Sequence, residues 1–215
     1  MALQKKRTSE IPQDAVILTE QKALIYQSRI LNNWPDSSDT FGYRNAKGLL
    51  AVATFFTGIY ANNHFRTKFR LMNYGRMSSY LPISVIPAAM SVLVHQNIVL
   101  TDVVLNKYSC PICIQSRAAA FQTLTGFVIP FLVAPVMSLS LVHRFHTFDM
   151  PYLSKEPLKV LQILGGQFKK IKNVAFGIFL AQALLASLVT YWESDSVYKV
   201  YSKLLEDEKN EEFAA

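Results

Sequence analysis

The sequence predicts an all-α integral membrane protein, a bundle of four transmembrane helices preceded by an amphipathic N-terminal helix. Three observations predict it. Four long runs, residues 48–63, 77–101, 118–142 and 173–192, contain no Asp, Glu, Lys or Arg. The charges that the chain does carry crowd into its two ends and into the connections between these runs. Prolines and glycines stand inside the runs, Pro87, Gly126, Pro130 and Pro135 among them, a usage that bilayer helices tolerate because neighbouring helices re-satisfy the freed backbone. The chain then divides into a polar leader, amphipathic helix and linker over residues 1–44, a membrane domain over 45–192, and a polar, acidic tail over 193–215.

A hydrophobic fraction of 51% with 17% charged residues is close to that of soluble proteins; the distribution carries the signal. The net charge of +7 comes from 22 Lys+Arg against 15 Asp+Glu. Most of that excess flanks apolar runs, which points to a membrane surface rather than to nucleic acid. Two cysteines do not make a disulfide scaffold for a chain of 215 residues. The first residues carry Lys5, Lys6 and Arg7 but then Glu10, Pro12 and Asp14, with no apolar stretch of signal-peptide length. They read neither as a secretory signal nor as a cleavable transit peptide, so an organelle address is expected to be internal.

From Asp14 to Leu31 the residues Val16, Ile17, Ala23, Leu24 and Ile30 or Leu31 recur near the helical period, with Asp14 as a candidate cap. This amphipathic face is open to three uses: a bilayer interface, a partner, or packing on the rest of the chain. Residues 32–40, with Trp34-Pro35-Asp36-Ser37-Ser38-Asp39, form a turn-rich linker.

The first apolar run, 48–63, is 16 residues long, short of the roughly 20 that a spanning helix needs. Lys47 and Arg66 extend it by snorkelling. A buried soluble helix is the alternative. Ala53, Thr57, Gly58 and Ala61 make a small-residue stripe suited to close helix approach. Arg66, Lys68, Arg70 and Arg76 follow with no acid among them, a basic connection for lipid headgroups or a partner. The second run, 77–101, has Pro87 as an expected kink and His95 near its end, read as a hydrogen-bonded polar residue; Asp102 just beyond is read as solvated.

Residues 101–117 read as a loop holding Cys110-Pro111-Ile112-Cys113. No second pair completes a zinc site, and no α/β context supports a thioredoxin-type site. Either the two cysteines form a short-range disulfide or they are packed thiols. Arg117 follows, and the third run, 118–142, carries Gly126, Pro130 and Pro135, whose irregular side is the candidate partner-facing surface. The connection 143–172 contains His143 and His146, read as marking the membrane edge, and a short surface helix over 158–167. The fourth run ends in Tyr191-Trp192, an aromatic interface anchor. From Glu193 onward the tail reads as a short helix and a solvated acidic end.

Four crossings put both termini on one side. The first and third connections carry ten basic residues: Arg66, Lys68, Arg70, Arg76, Arg144, Lys155, Lys159, Lys169, Lys170 and Lys172. The other side carries six: Arg44, Lys47, Lys107, Arg117, Lys199 and Lys203. The positive-inside bias places the basic connections inside, with the termini and the cysteine loop outside.

Ala61-Asn62 leading to Phe65-Arg66, the C-x-x-C segment with Arg117 after it, and the Gly126, Pro130, Ala134-Pro135 run occur in an order that resembles the transmembrane protein 126 family, over about residues 45–205. The resemblance implies a multi-spanning protein of the mitochondrial inner membrane that assists assembly of respiratory complex I. Family members called B work beside ECSIT and an acyl-CoA-dehydrogenase-like flavoprotein, and those called A on a membrane module of the enzyme. It further implies a scaffold with no catalytic residue, cofactor or metal, contacting membrane lipid and complex I subunits or assembly intermediates; with the charge bias above, the termini and cysteines are then expected on the intermembrane-space side. Two competing classes remain: a small solute carrier or channel, motivated by the prolines, and a membrane thiol oxidoreductase using Cys110 and Cys113.

Overall fold

The structure is a computed structural model and describes residues 18–108, 110–151 and 156–214. The leader, the suggested cap at Asp14 and Lys155 lie outside the described residues. All regular secondary structure among the described residues is helical. We number the helices α1 (Glu20–Asn33), α2 (Phe41–Lys68), α3 (Arg76–Val104), α4 (Pro111–Phe145) and α5 (Pro157–Ala214).

Side-chain and backbone contacts fix the register of an antiparallel bundle. Gly42 at the start of α2 lies against the carbonyl of Trp192, Ala46 and Leu50 pack with Ala186 and Val189, and Phe65 meets Phe168, so α2 and α5 run in opposite directions. Gly58 faces Ile83 and Ser84 and Asn62 bonds Ser79, so α3 also opposes α2. Gln122 reaches Leu50 and Thr54 while Thr147 reaches Phe69, so α4 runs alongside α2. The passages therefore go up, down, up, down. One end of the bundle carries α1, the cysteines and the end of α5; the other carries the connections after α2 and α4.

α3, α4 and α5 each contain a stretch long and apolar enough to cross a membrane. α2 does not meet that measure, and its environment explains why. It lies against α3, α4 and α5, and its buried face includes Thr54, Thr57, Asn62 and Arg66. A helix surrounded by protein can carry such groups if its neighbours bond them. Its outward face is apolar, with Val52 and Phe56 more than half exposed. Of the small-residue stripe, Thr57, Gly58 and Ala61 are buried as close packing requires.

Two of the prolines expected to bend their helices stand just after π-helical turns. Pro87 and Pro130 lack an N–H and crowd the carbonyl four residues earlier, those of Ile83 and Gly126. Each of those residues lies in a π-helical turn, Leu81–Val85 and Leu124–Val128, whose wider ladder absorbs the proline without ending the helix. The widened turn of α3 is where α2 comes nearest: a Cβ on Gly58 would stand 2.3 Å from the Ile83 oxygen. Only glycine permits that approach. A third π turn, His95–Leu100, contains no proline.

Two segment boundaries differ from expectation. The cysteine segment is not a loop throughout, because α4 begins at Pro111 with Cys110 as its cap; proline suits the first helical position, where an N–H has no intrahelical partner. The surface helix expected at 158–167, the fourth run and the start of the tail form one helix of 58 residues, about 87 Å long at 1.5 Å per residue. No proline follows Pro157 to break it, and Gly165-Gly166 is tolerated within it.

α1 packs on its own chain. Leu31 is buried with Tyr43, Leu100, Val104 and Val200, and Leu24, Ile30 and Leu204 border them. Arg44 Nη2 donates to the carbonyls of Asn32 (2.8 Å) and Trp34 (3.0 Å), satisfying the end of α1, and Lys107 pairs with Glu20. Ile25 and Tyr26 face outward.

Candidate functional site

Three groups of buried polar side chains are hydrogen-bonded between elements of the bundle, while the buried hydroxyls of Ser84, Ser91 and Ser138 have no hydrogen-bond partner among the described residues. The first lies in the middle of the bundle. Gln122 Nε2 on α4 donates to Thr54 Oγ1 at 3.0 Å and to Gln182 Oε1 at 2.8 Å. Gln182 Nε2 on α5 donates to Thr57 Oγ1 at 2.8 Å, and that hydroxyl donates to the Ala53 carbonyl at 3.0 Å. All four side chains are buried. Gly126 sits beside them, and a Cβ there would press on Gln182, Thr54 and Gln122. The two amides thus tie three helices together where no water competes, an arrangement typical of helix association in lipid. The signal in the sequence is a single glutamine in each of two otherwise apolar runs.

The second group centres on Arg66, 4% exposed. Its guanidinium donates through Nη2 to the carbonyls of Met72 (2.8 Å) and Tyr74 (2.9 Å). Through Nη1 it donates to Ser79 Oγ (2.8 Å) and the Gly75 carbonyl (3.4 Å). Ser79 in turn donates to the Arg76 carbonyl and accepts from Asn62 Nδ2. The chain from 69 to 75 turns back through positive φ at Arg70, Met72 and Gly75, and Arg66 collects the carbonyls that this turn leaves without helical partners. Expected at a headgroup surface, Arg66 is instead the internal brace of the α2–α3 connection.

The third group is His95 with Glu193, 3% and 0% exposed. His95 Nε2 donates to the two carboxylate oxygens at 2.8 and 3.1 Å. The π turn at His95–Leu100 carries the imidazole, and α5 carries the carboxylate. Glu193 was expected to open a short helix of the polar tail; because α5 continues without a break, it is buried. Asp102, also expected to be solvated, pairs with Arg117 across the α3–α4 connection, and Arg117 Nη2 donates to the Ile98 carbonyl at 3.1 Å.

The remaining candidate residues separate by environment. Lys68, Arg70 and Arg76 are exposed around the α2–α3 connection. Gly126, Pro130 and Pro135 are buried, so the irregular side of α4 faces into the bundle and is not its outer surface. Widened turns bring backbones close together, and that favours protein neighbours over lipid. Cys110 and Cys113, a candidate disulfide by their spacing, are free thiols in the structure. The Cys113 N–H donates to Cys110 Sγ at 3.3 Å. Hydrogen bonds from Cys113, first through its thiol and then through its backbone, hold the Cys110 thiol below its usual range.

Carboxylate ion pairs are more numerous at the cysteine end than at the other. At the cysteine end Lys107, Arg117, Lys199 and Lys203 are each paired with a carboxylate, on Glu20, Asp102, Asp195 and Asp39, while Arg44 donates to backbone carbonyls and Lys47 lies over the Tyr43 ring. At the opposite end Lys159 pairs with Glu156, whereas no carboxylate bridges Lys68, Arg70, Arg76, Lys169, Lys170 or Lys172 among the described residues. No cluster of three or more metal-ligating side chains occurs among the described residues.

These features define a helical membrane protein whose buried polar groups bind its helices to one another. The chain matches the family model described as Transmembrane protein 126 over residues 22–211. It is also 37% identical over 210 residues to "Transmembrane protein 126" of Drosophila melanogaster, covering 97% of this chain and 94% of the relative. The chain belongs to the transmembrane protein 126 family. No solved structure matches it.

Proposed function

We propose that this protein is a non-enzymatic scaffold of the mitochondrial inner membrane that holds membrane-arm subunits or assembly intermediates of respiratory complex I. Membership of the transmembrane protein 126 family is the observation that carries this reading. The chain crosses the bilayer four times, α2 being the crossing whose polar face is covered by its neighbours, with α1 as an amphipathic helix docked at one end. The pairing of Gln122 and Gln182 with each other and with Thr54 and Thr57 supports a scaffold over a carrier, since these two amides and two hydroxyls are engaged in holding helices together.

The outer face offers the hydrophobic contact. Phe176, Leu184 and Leu188 on α5, Leu93 on α3, and Leu132 and Val136 on α4 are all about half exposed or more. On the scaffold reading these residues meet lipid in the free protein and hydrophobic subunits in the assembling complex. The end that carries the two basic connections lies in the matrix, as the positive-inside rule favours. There Lys68, Arg70 and Arg76 contact anionic headgroups or soluble factors such as ECSIT and an acyl-CoA-dehydrogenase-like protein. The termini and cysteines lie on the intermembrane-space side.

Purification in mild detergent tests this function. The expected result is recovery of complex I membrane subunits together with soluble assembly factors. A Lys68→Glu/Arg70→Glu/Arg76→Glu variant is expected to lose the soluble factors while keeping the membrane subunits. Recovery of the intact protein with lipid alone, under conditions that preserve other complex I intermediates, contradicts the reading.

A further inference from the structure

Cys110 and Cys113 belong to none of the three buried groups, and their setting is unlike that of packed structural thiols. Cys113 is exposed and Cys110 partly so. Together with Asp102, Lys107, Tyr108, Ile114 and Arg117 they line an open cleft of about 370 Å³. Cys110 occupies the cap position of α4 and Cys113 its first turn, with Pro111 fixing the start of the helix. A sulfur at a cap faces the backbone N–H groups that have no helical partner, and here it accepts one, from Cys113. Such a position favours thiolate over thiol. The second sulfur stands three residues away across the same turn, the spacing that lets one thiol displace a group bound to the other.

We propose that Cys110 and Cys113 are a reversible redox dithiol that exchanges with a small disulfide of the glutathione class, Cys110 being the attacking sulfur and Cys113 the resolving one. The Cys110 thiolate attacks one sulfur of glutathione disulfide; the S–S bond breaks, one glutathione leaves as thiolate, and a Cys110–glutathione mixed disulfide remains. Cys113 then gives up its proton and attacks Cys110 Sγ, forming the Cys110–Cys113 bond and expelling the second glutathione. Two protein thiols are oxidised and one glutathione disulfide is reduced to two glutathione molecules, which take up the two protons. Lys107 and Arg117 place cationic groups at the cleft for the carboxylates of glutathione, although each also pairs with a protein carboxylate, Glu20 and Asp102. This exchange requires neither the scaffold role nor a particular compartment.

The full chain, purified in detergent under reducing conditions and then freed of reductant, is incubated with glutathione disulfide. It is next quenched in acid and alkylated with a mass-tagged maleimide. The expected result is conversion from two tags to none, with an intramolecular Cys110–Cys113 peptide by mass spectrometry and return to two tags on adding reduced glutathione. Cys113→Ser is expected to stop at one glutathione on Cys110. Cys110→Ser is expected to take up glutathione on Cys113 about tenfold more slowly at pH 7. Two tags retained in the folded wild-type protein, while detergent-denatured protein oxidises, overturns the proposal, as does equal uptake by the two single variants. The wild-type measurement decides the matter even if a variant folds poorly.

Discussion

Replacing Arg66 with methionine is expected to destabilise the protein by about 3 kcal/mol, because hydrogen bonds to a charged group are worth roughly 1.5–3 kcal/mol net and their loss leaves one buried and two part-buried acceptors without this donor. Methionine keeps most of the apolar stem of Arg66 and removes the guanidinium. The carbonyls of Met72 and Tyr74 and the hydroxyl of Ser79 then lose the donor that now binds all of them. The effect is expected to appear as a lower thermal midpoint in detergent and as new proteolytic cleavage between residues 69 and 75. Arg66→Lys is expected to recover only part of the loss, since a single ammonium cannot reproduce a planar fork with two nitrogens aimed at different acceptors. Arg70→Met, a change at an exposed residue four positions on, is expected to leave the midpoint nearly unchanged. Equal midpoints for the Arg66→Met and Arg70→Met variants would remove the internal-brace role.

The second large effect is expected at His95 and Glu193. Breaking a buried pair by removing one partner typically costs about 3–5 kcal/mol, whereas replacing both by apolar side chains is often neutral or stabilising. His95→Leu leaves a carboxylate with no exposed surface and without the imidazole that it now accepts from. Glu193→Leu leaves the imidazole without its acceptor. The double variant is expected to be more stable than the His95→Leu single variant, and the difference measured through a thermodynamic cycle gives the coupling between α3 and α5. Additive single effects would place the two side chains out of contact.

The helical membrane class was legible because it rests on long uncharged runs, and three of the four runs fall within α3, α4 and α5. The first run, 48–63, was the weakest by length, yet it lies in the helix that all three of the others pack around. The reason is physical: a helix covered by protein is under less pressure to be apolar, and Thr54, Thr57, Asn62 and Arg66 lower its hydropathy while they build its contacts. The stripe at Thr57, Gly58 and Ala61 was readable from spacing, and it is buried as small interfacial residues should be. The partners of that stripe were not readable, since the approach of Gly58 to the Ile83 carbonyl joins two helices at a π turn that no local pattern announces.

The candidate residues were legible in kind more than in place. Lys68, Arg70 and Arg76 are exposed as their sequence context suggests, while Arg66, in the same basic cluster, turns inward because a tight turn leaves carbonyls for it to bind. Gly126, Pro130 and Pro135 marked a real irregularity of α4 but on its inward side. The pairing of Gln122 with Gln182 joins residues 60 apart, and that of His95 with Glu193 joins residues 98 apart. No local pattern encodes such pairs. Glu193 was further obscured by its position after the Tyr191-Trp192 anchor, where a membrane run ordinarily gives way to solvent.

The scaffold account is tested most directly by deleting the gene in cells and resolving complex I and its assembly intermediates on native gels. The account predicts loss of mature complex I with accumulation of partial membrane-arm assemblies, restored by the wild-type protein and not by the Arg66→Met variant if that variant is depleted. Unchanged complex I and an unchanged pattern of intermediates in cells shown to lack the protein would contradict it.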